Sequence, residues 1–134
     1  MTLYIDSSTL LKIYLNQPEG PTAADLARTD EGWISGWHTY VEVRRNLTRV
    51  FAGDNLRAAR TQFARDWGRF HAVELGADTC ETAAQLAELT GVQSLDALHL
   101  GAAASVGGGD LPFLTYDRRQ ADAARSLGWT VLGA

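Results

Sequence analysis

Cysteine is almost absent from the chain: one residue in 134, Cys80, which excludes an intrachain disulfide and a cysteine-rich zinc site. Lysine is as scarce. Lys12 is the only one, and the other eleven of the twelve cationic side chains are arginine, the residue suited to planar, bidentate contact with phosphate or carboxylate. No run approaches the roughly 18 consecutive apolar residues that suggest a membrane span, so no membrane partner is expected. Repeats, low-complexity tracts and long linkers are missing too. Strand-forming residues begin at Thr2, which leaves no room for a signal peptide and makes the cytoplasm the expected location. With 46% apolar and 21% charged residues, a chain of this length is expected to form one globular domain, residues 1–134.

A net charge of −4 argues at first against a polyanionic partner, but the charge is unevenly spread. Seven arginines (44, 45, 49, 57, 60, 65 and 69) face only Asp54 and Asp66 in the same stretch, a local excess of five positive charges. The remainder of the chain is acidic.

Strand and helix signals alternate along the sequence. The opening "TLYIDSSTLLKIY" reads as a strand delivering the chain through Asp6, Ser7 or Ser8, any of which can cap, into an amphipathic helix. Pro21 is placed to open a second helix, and "GWIS" reads as a second strand. Tyr40, Val43, Leu47, Val50 and Phe51 recur at helical steps, with Glu42, Arg45 and Arg49 on the other face. A further helix is expected to take Asp54 as its cap and Leu56, Ala59, Phe63, Trp67 and Phe70 as its buried stripe. "DTCE" has capping-box spacing for the next, stopped by Gly91. Ser94 is expected to cap the helix after that, placing Asp96 in its first turn. "LPFLTYD" then reads as a buried strand ending at Asp117, followed by a helix and a last strand, "WTVL". This alternation predicts an α/β fold, a central parallel β-sheet covered by helices on both faces.

In such a sheet, ligands sit beyond the carboxyl ends of the strands, where the strand order reverses. Asp6 and Asp117 end strands, and Asp96 and Glu42 sit early in helices, so four acids from distant segments can converge. Crowded carboxylates repel unless a cation neutralises them. Oxygen ligands without His or Cys favour a hard ion, Mg²⁺ or Mn²⁺, and such ions serve phosphodiester hydrolysis by water. Each acid also has a plainer role: Asp6 and Asp117 as helix caps, Glu42 as a partner of Arg45 or Arg49.

The blocks "YIDSSTLLKIYLNQPEG", "ISGWHTYVEVRRNL", "SLDALHLGAA" and "FLTYDRRQADAARSLG" resemble, in order and nearly end to end, the four acidic blocks of the PIN domain, in particular of the VapC-type ribonuclease toxins. The resemblance implies a single PIN-like domain and a Mg²⁺-dependent endoribonuclease, with Asp6, Glu42 and Asp96 as core metal-binding and catalytic acids and Asp117 as the fourth. It also implies an RNA substrate, a cognate antitoxin and a homodimer or toxin–antitoxin hetero-oligomer. Two other readings share the fold: a housekeeping RNA-processing nuclease and a non-catalytic binding module. A phosphotransfer site with Asp6 as nucleophile is disfavoured, because Ser8 stands where a second aspartate is needed.

Among the arginines, Arg45 and Arg49 lie on the face of Glu42 and are the expected RNA contacts. Thr115 and Ser7 are expected to support the acids, with Ser8 an alternative to Ser7 for orienting Asp6. His99, one turn beyond Asp96, is assigned to packing or to orienting a neighbour, and His38 and His71 carry no signal. Cys80 is expected to be a buried small hydrophobe. Trp33 and Trp37 read as exposed aromatics able to anchor a partner helix.

Overall fold

Alternation within "LYI" organises the sheet: Leu3 and Ile5 point to one face and Tyr4 to the other, and all three are fully buried. A strand buried on both faces needs layers on both sides. The computed structural model describes residues 2–134, and its sheet is entirely parallel, ordered β3-β2-β1-β4-β5. The strands are β1 (Thr2–Ile5), β2 (Gly32–Gly36), β3 (Phe70–Val73), β4 (Phe113–Thr115) and β5 (Val131–Gly133). Seven helices surround it: α1 (Ser7–Tyr14), α2 (Gly20–Ala27), α3 (Trp37–Val50), α4 (Gly53–Trp67), α5 (Ala77–Thr90), α6 (Ser94–Ser105) and α7 (Arg118–Ser126).

The core has two halves. Leu10, Tyr14, Val43, Leu47 and Phe63, from α1, α3 and α4, join Leu3, Ile5 and Leu114 on one face. Leu100, Ala102, Ala103, Ala123 and Ala124, from α6 and α7, join Tyr4, Ile34 and Phe113 on the other. Small residues let α6 approach α5 closely, and a Cβ on Gly101 would stand 2.7 Å from Ala83 Cβ. The expected α/β architecture is therefore observed. Among the described residues no helix is long and apolar enough to cross a membrane.

Local expectations fare unevenly. Pro21 does lie in the first turn of α2, and Gly91, at φ +78°, does end α5 in the left-handed conformation that glycine adopts freely. Phe70, however, is not the last residue of a helical stripe. The α4 helix ends at Trp67, and Phe70 opens the edge strand β3, paired with Trp33 of β2. A four-residue strand with an exposed His71 carries too little periodicity to declare itself in the sequence.

Three expected caps are also displaced. Ala52 precedes α4, and Asp54 sits in its first turn, bonded to Arg57. Gly76 precedes α5, so "DTCE" makes no capping box, and Glu81 accepts instead from Gln85. Gln93 precedes α6, leaving Ser94 inside the helix. None of these three helix starts has a side-chain cap hydrogen bond. The acids in their first turns act through charge on the helix dipole. Cys80 is exposed rather than buried.

Candidate active site

Strand order reverses at β1, which pairs with β2 on one side and β4 on the other. Asp6 follows β1 directly, and Asp117 stands two residues beyond β4. Both cap helices: Asp6 accepts from the Thr9 N–H at 3.1 Å and Asp117 from the Gln120 N–H at 3.1 Å. Capping and site membership are thus not exclusive, because a helix N-terminus in this fold opens at the same sheet edge. Glu42, from the second turn of α3, and Asp96, from the first turn of α6, join Asp117, Gln93, Ser94 and Leu95 around one open cleft of about 560 Å³.

Asp6 lies behind that cleft, 2% exposed, with both oxygens engaged. Oδ1 accepts from Ser8 Oγ at 2.7 Å, the Thr9 N–H and Thr9 Oγ1 at 3.2 Å, while Oδ2 accepts from Thr115 Oγ1 at 2.6 Å and Gln120 Nε2 at 3.3 Å. Thr115 in turn accepts the Asp117 N–H at 3.0 Å, tying two of the acids together through one hydroxyl. Of the two serines, Ser8 orients Asp6. Ser7 faces the other way, with Oγ 3.4 Å from His99 Nε2.

Electrostatics differ along the group. Burial pushes Asp6 above the usual carboxylate range, against the charge of His99 and the hydrogen bonds from Thr115, Ser8 and Thr9. Asp96 is pushed up to about 6, first by burial and then by the charge of Asp117, with smaller contributions from Asp6 and Glu42. Burial also acts to raise Glu42, but its hydrogen bond with His99 and the neighbouring imidazole charge outweigh it and hold Glu42 low. Glu42 Oε1 lies 3.0 Å from His99 Nε2 and 3.8 Å from His38 Nε2. It pairs with neither Arg45 nor Arg49, both of which are exposed.

His99 is packed and orients a neighbour, Glu42, as the sequence suggested, whereas His38 carried no sequence signal. Their imidazole centroids are 4.0 Å apart, and His99 is 1% exposed with Nδ1 2.9 Å from Tyr4 Oη. His38 sits against Gly36, where a Cβ would approach its ring to 2.6 Å. Neither of its ring nitrogens makes a well-formed hydrogen bond, the Leu95 backbone acting on the ring only weakly. A buried polar group left this way costs about 1–3 kcal/mol. Burial, then the charge of His99, pushes His38 down to about 3 and leaves the ring neutral. The sequence did hold a signal for His99: at i+3 from Asp96 it shares that acid's side of α6. Gln120 carried none.

Around the Arg-rich segment the roles separate. Arg44 donates to Tyr40 Oη at 2.7 Å, Arg57 pairs with Asp54, and Arg69 stacks 4.2 Å from the centre of the Trp33 ring. Trp33 is buried, its Nε1 donating to the Ala27 carbonyl at 2.7 Å, so it is not the exposed anchor expected. Trp37 is exposed, packing edge-on against Trp67.

A sheet wound in both directions from one strand, with acids gathered at the reversal, defines a class: doubly wound α/β domains whose switch point offers oxygen ligands. The PIN domain model matches residues 3–126, and the chain belongs to the PIN domain family. It is similar to Ribonuclease VapC46 of Mycobacterium tuberculosis, at 28% identity over 130 residues, 97% of this chain and 95% of that protein. The structure of Mycobacterium tuberculosis VapC20, described as a sarcin–ricin loop cleaving toxin, superposes with a TM-score of 0.73 at 17% identity, covering 90% of this chain and 94% of that one. VapBC2 from Rickettsia felis, bound to a DNA fragment from its promoter, gives 0.70 at 10% identity over 99% and 98% of the two chains. At those identities the two structures show the fold.

Proposed function

We propose that this chain is a VapC-type endoribonuclease that depends on Mg²⁺, or on Mn²⁺ in its place, and acts in the cytoplasm as the toxin of a toxin–antitoxin pair. The observation that carries the reading is the cleft in which Glu42, Asp96 and Asp117 meet at the switch point, with Asp6 fixed behind them. The fit to a hard divalent cation rests on the donors. Side-chain oxygens of Glu42, Asp96 and Asp117 line that cleft, and Asp96 titrates high through burial and then through repulsion by neighbouring carboxylates, a repulsion that a cation relieves. Glu42, Asp96 and Asp117 would hold the ion from the cleft, with Asp6, whose oxygens already accept five hydrogen bonds, as the fourth acid behind them. When bound, Mg²⁺ supplies an activated water and polarises the phosphoryl oxygen.

The chain's own groups do the rest. Ser8, Thr9 and Thr115 lock the Asp6 carboxylate in one orientation, and the hydrogen bond with His99 does the same for Glu42. Arg45 and Arg49, one and two turns along α3 from Glu42, grip backbone phosphates flanking the scissile bond. A cognate antitoxin covers the apolar surface near the first helices, with exposed Trp37 as an anchor, and places a basic side chain among the acids.

The test is RNA cleavage by Asp96→Asn and by wild type in Mg²⁺ and in chelator. Loss of cleavage in the variant and in chelator supports the reading, and full activity in either overturns it. Inhibition by the antitoxin should weaken as Mg²⁺ rises.

A further inference from the structure

Beside the acidic cleft, one ligand atom from each of His38, Glu42 and His99 lies within 4.8 Å of the others. Two imidazoles and a carboxylate are a different donor set from the oxygens of the cleft. Nitrogen-rich sets of this kind suit divalent transition metals, whereas Mg²⁺ prefers oxygen alone. We propose that His38, His99 and Glu42 form a binding site for a divalent transition-metal ion of the Zn²⁺ type, separate from the Mg²⁺ reading and sharing one carboxylate with it.

Three observations on different residues support the assignment. The first is spacing. Zinc bonds of roughly 2.0–2.2 Å put tetrahedral ligand atoms about 3.4 Å apart. Glu42 Oε1 stands 3.0 Å from His99 Nε2 and 3.8 Å from His38 Nε2, so closing around an ion needs only small side-chain movements. The second is His38 itself. It is 9% exposed, both ring nitrogens lack partners, and Nε2 is turned toward Glu42. A ligand there would satisfy a side chain that the protein alone leaves unsatisfied.

The third is the support behind His99. A ligating imidazole characteristically donates its other N–H to a fixed acceptor. His99 Nδ1 is 2.9 Å from Tyr4 Oη, and the Gly36 N–H donates to that same oxygen at 3.1 Å. In the bound state the ring proton sits on Nδ1, and Nε2 offers the ion its lone pair in place of its hydrogen bond to Glu42. Ser7 Oγ, 3.4 Å from His99 Nε2, stands where a fourth oxygen ligand or a water's partner is needed.

The experiment uses the full chain stripped with chelator and titrated calorimetrically with ZnCl2, then separately with MgCl2. Wild type is expected to bind one Zn²⁺ per chain. His38→Ala should weaken that binding more than tenfold, whereas Asp96→Asn should leave it within threefold. Should His38→Ala fail to fold, Co²⁺ added to wild type gives an independent reading, as hyperfine-shifted imidazole signals from two of the three histidines. Zn²⁺ binding that survives His38→Ala but is lost in Asp96→Asn puts the ion among the cleft acids and overturns the proposal. Absence of shifted histidine signals overturns it as well. Loss of Mg²⁺ binding in Asp96→Asn bears on the nuclease reading alone, so the two can fail separately.

Discussion

Asp6 and Asp96 belong to one acidic group and have opposite surroundings. Asp6 is sealed in, with five hydrogen bonds converging on its two oxygens from α1, β4 and α7. Asp96 is half exposed on the cleft, and its main electrostatic neighbours are other acids. One carboxylate is a junction on which three elements close; the other is held in a state the protein by itself does not favour. The acidic group thus pairs one member held rigidly by hydrogen bonds with one whose charge both burial and its neighbours disfavour.

The largest effect should come from breaking the rigid member. Asp6→Ala orphans Ser8, Thr115 and Gln120 in the interior and removes the α1 cap, a loss of about 3 kcal/mol or more. Thermal unfolding should fall by roughly 10 °C, whatever happens to activity. Asp96→Asn should behave in the opposite way. Cleavage is lost, while unfolding of the metal-free protein stays within about 0.5 kcal/mol of wild type or improves. Equal melting losses in the two variants would erase the distinction drawn between them.

Acidity sharpens the same comparison. The folded-state pKa of Asp96, about 6, lies above the ordinary 3.8, so the folded protein binds the extra proton more readily than the unfolded chain does. Stability from this residue is greatest below about pH 4 and declines as pH rises through 6. His38 has the contrary sign. Depressed from 6.5 to about 3, it lets acid favour the unfolded chain below pH 6.5. The difference in unfolding free energy between Asp96→Asn and wild type should therefore grow from pH 4 to pH 7, by something of the order of 1 kcal/mol after solvent screening. Mg²⁺ should remove it.

The smallest effect on the fold belongs to Arg45 and Arg49, which are exposed and hold no acid. Replacing both with Ala should leave melting unchanged. RNA binding should weaken across unrelated sequences, and the slope of log K against log salt should become shallower by about 2. An unchanged slope would return both to a solvated face.

Much of the architecture was legible because burial leaves a periodic mark. The apolar run before Asp6, the three- and four-residue steps of α3 and the alternation of strands with helices all predict a parallel sheet, and order alone carries Asp6 and Asp117 to its carboxyl edge. Helix starts were less legible. Asp54, "DTCE" and Ser94 each looked like caps and are not, since a cap is decided by the backbone angles of one residue, which side-chain type only biases. Strand β3 was hidden by its brevity and its half-exposed position at the sheet's edge.

The sequence by itself determined the fold class, the identity and chain order of the four acids, and the concentration of arginine between residues 44 and 69. Only the tertiary structure decided which acid is buried and which lines the cleft, that Ser8 rather than Ser7 holds Asp6, and that Trp33 is covered while Trp37 is not. It also brought His38 beside His99, 61 positions away in the chain, and set both against Glu42. The reason is physical: periodicity records which face of an element loses water, whereas the partner each side chain meets depends on the packing of elements far apart in sequence, whose contacts leave no local trace.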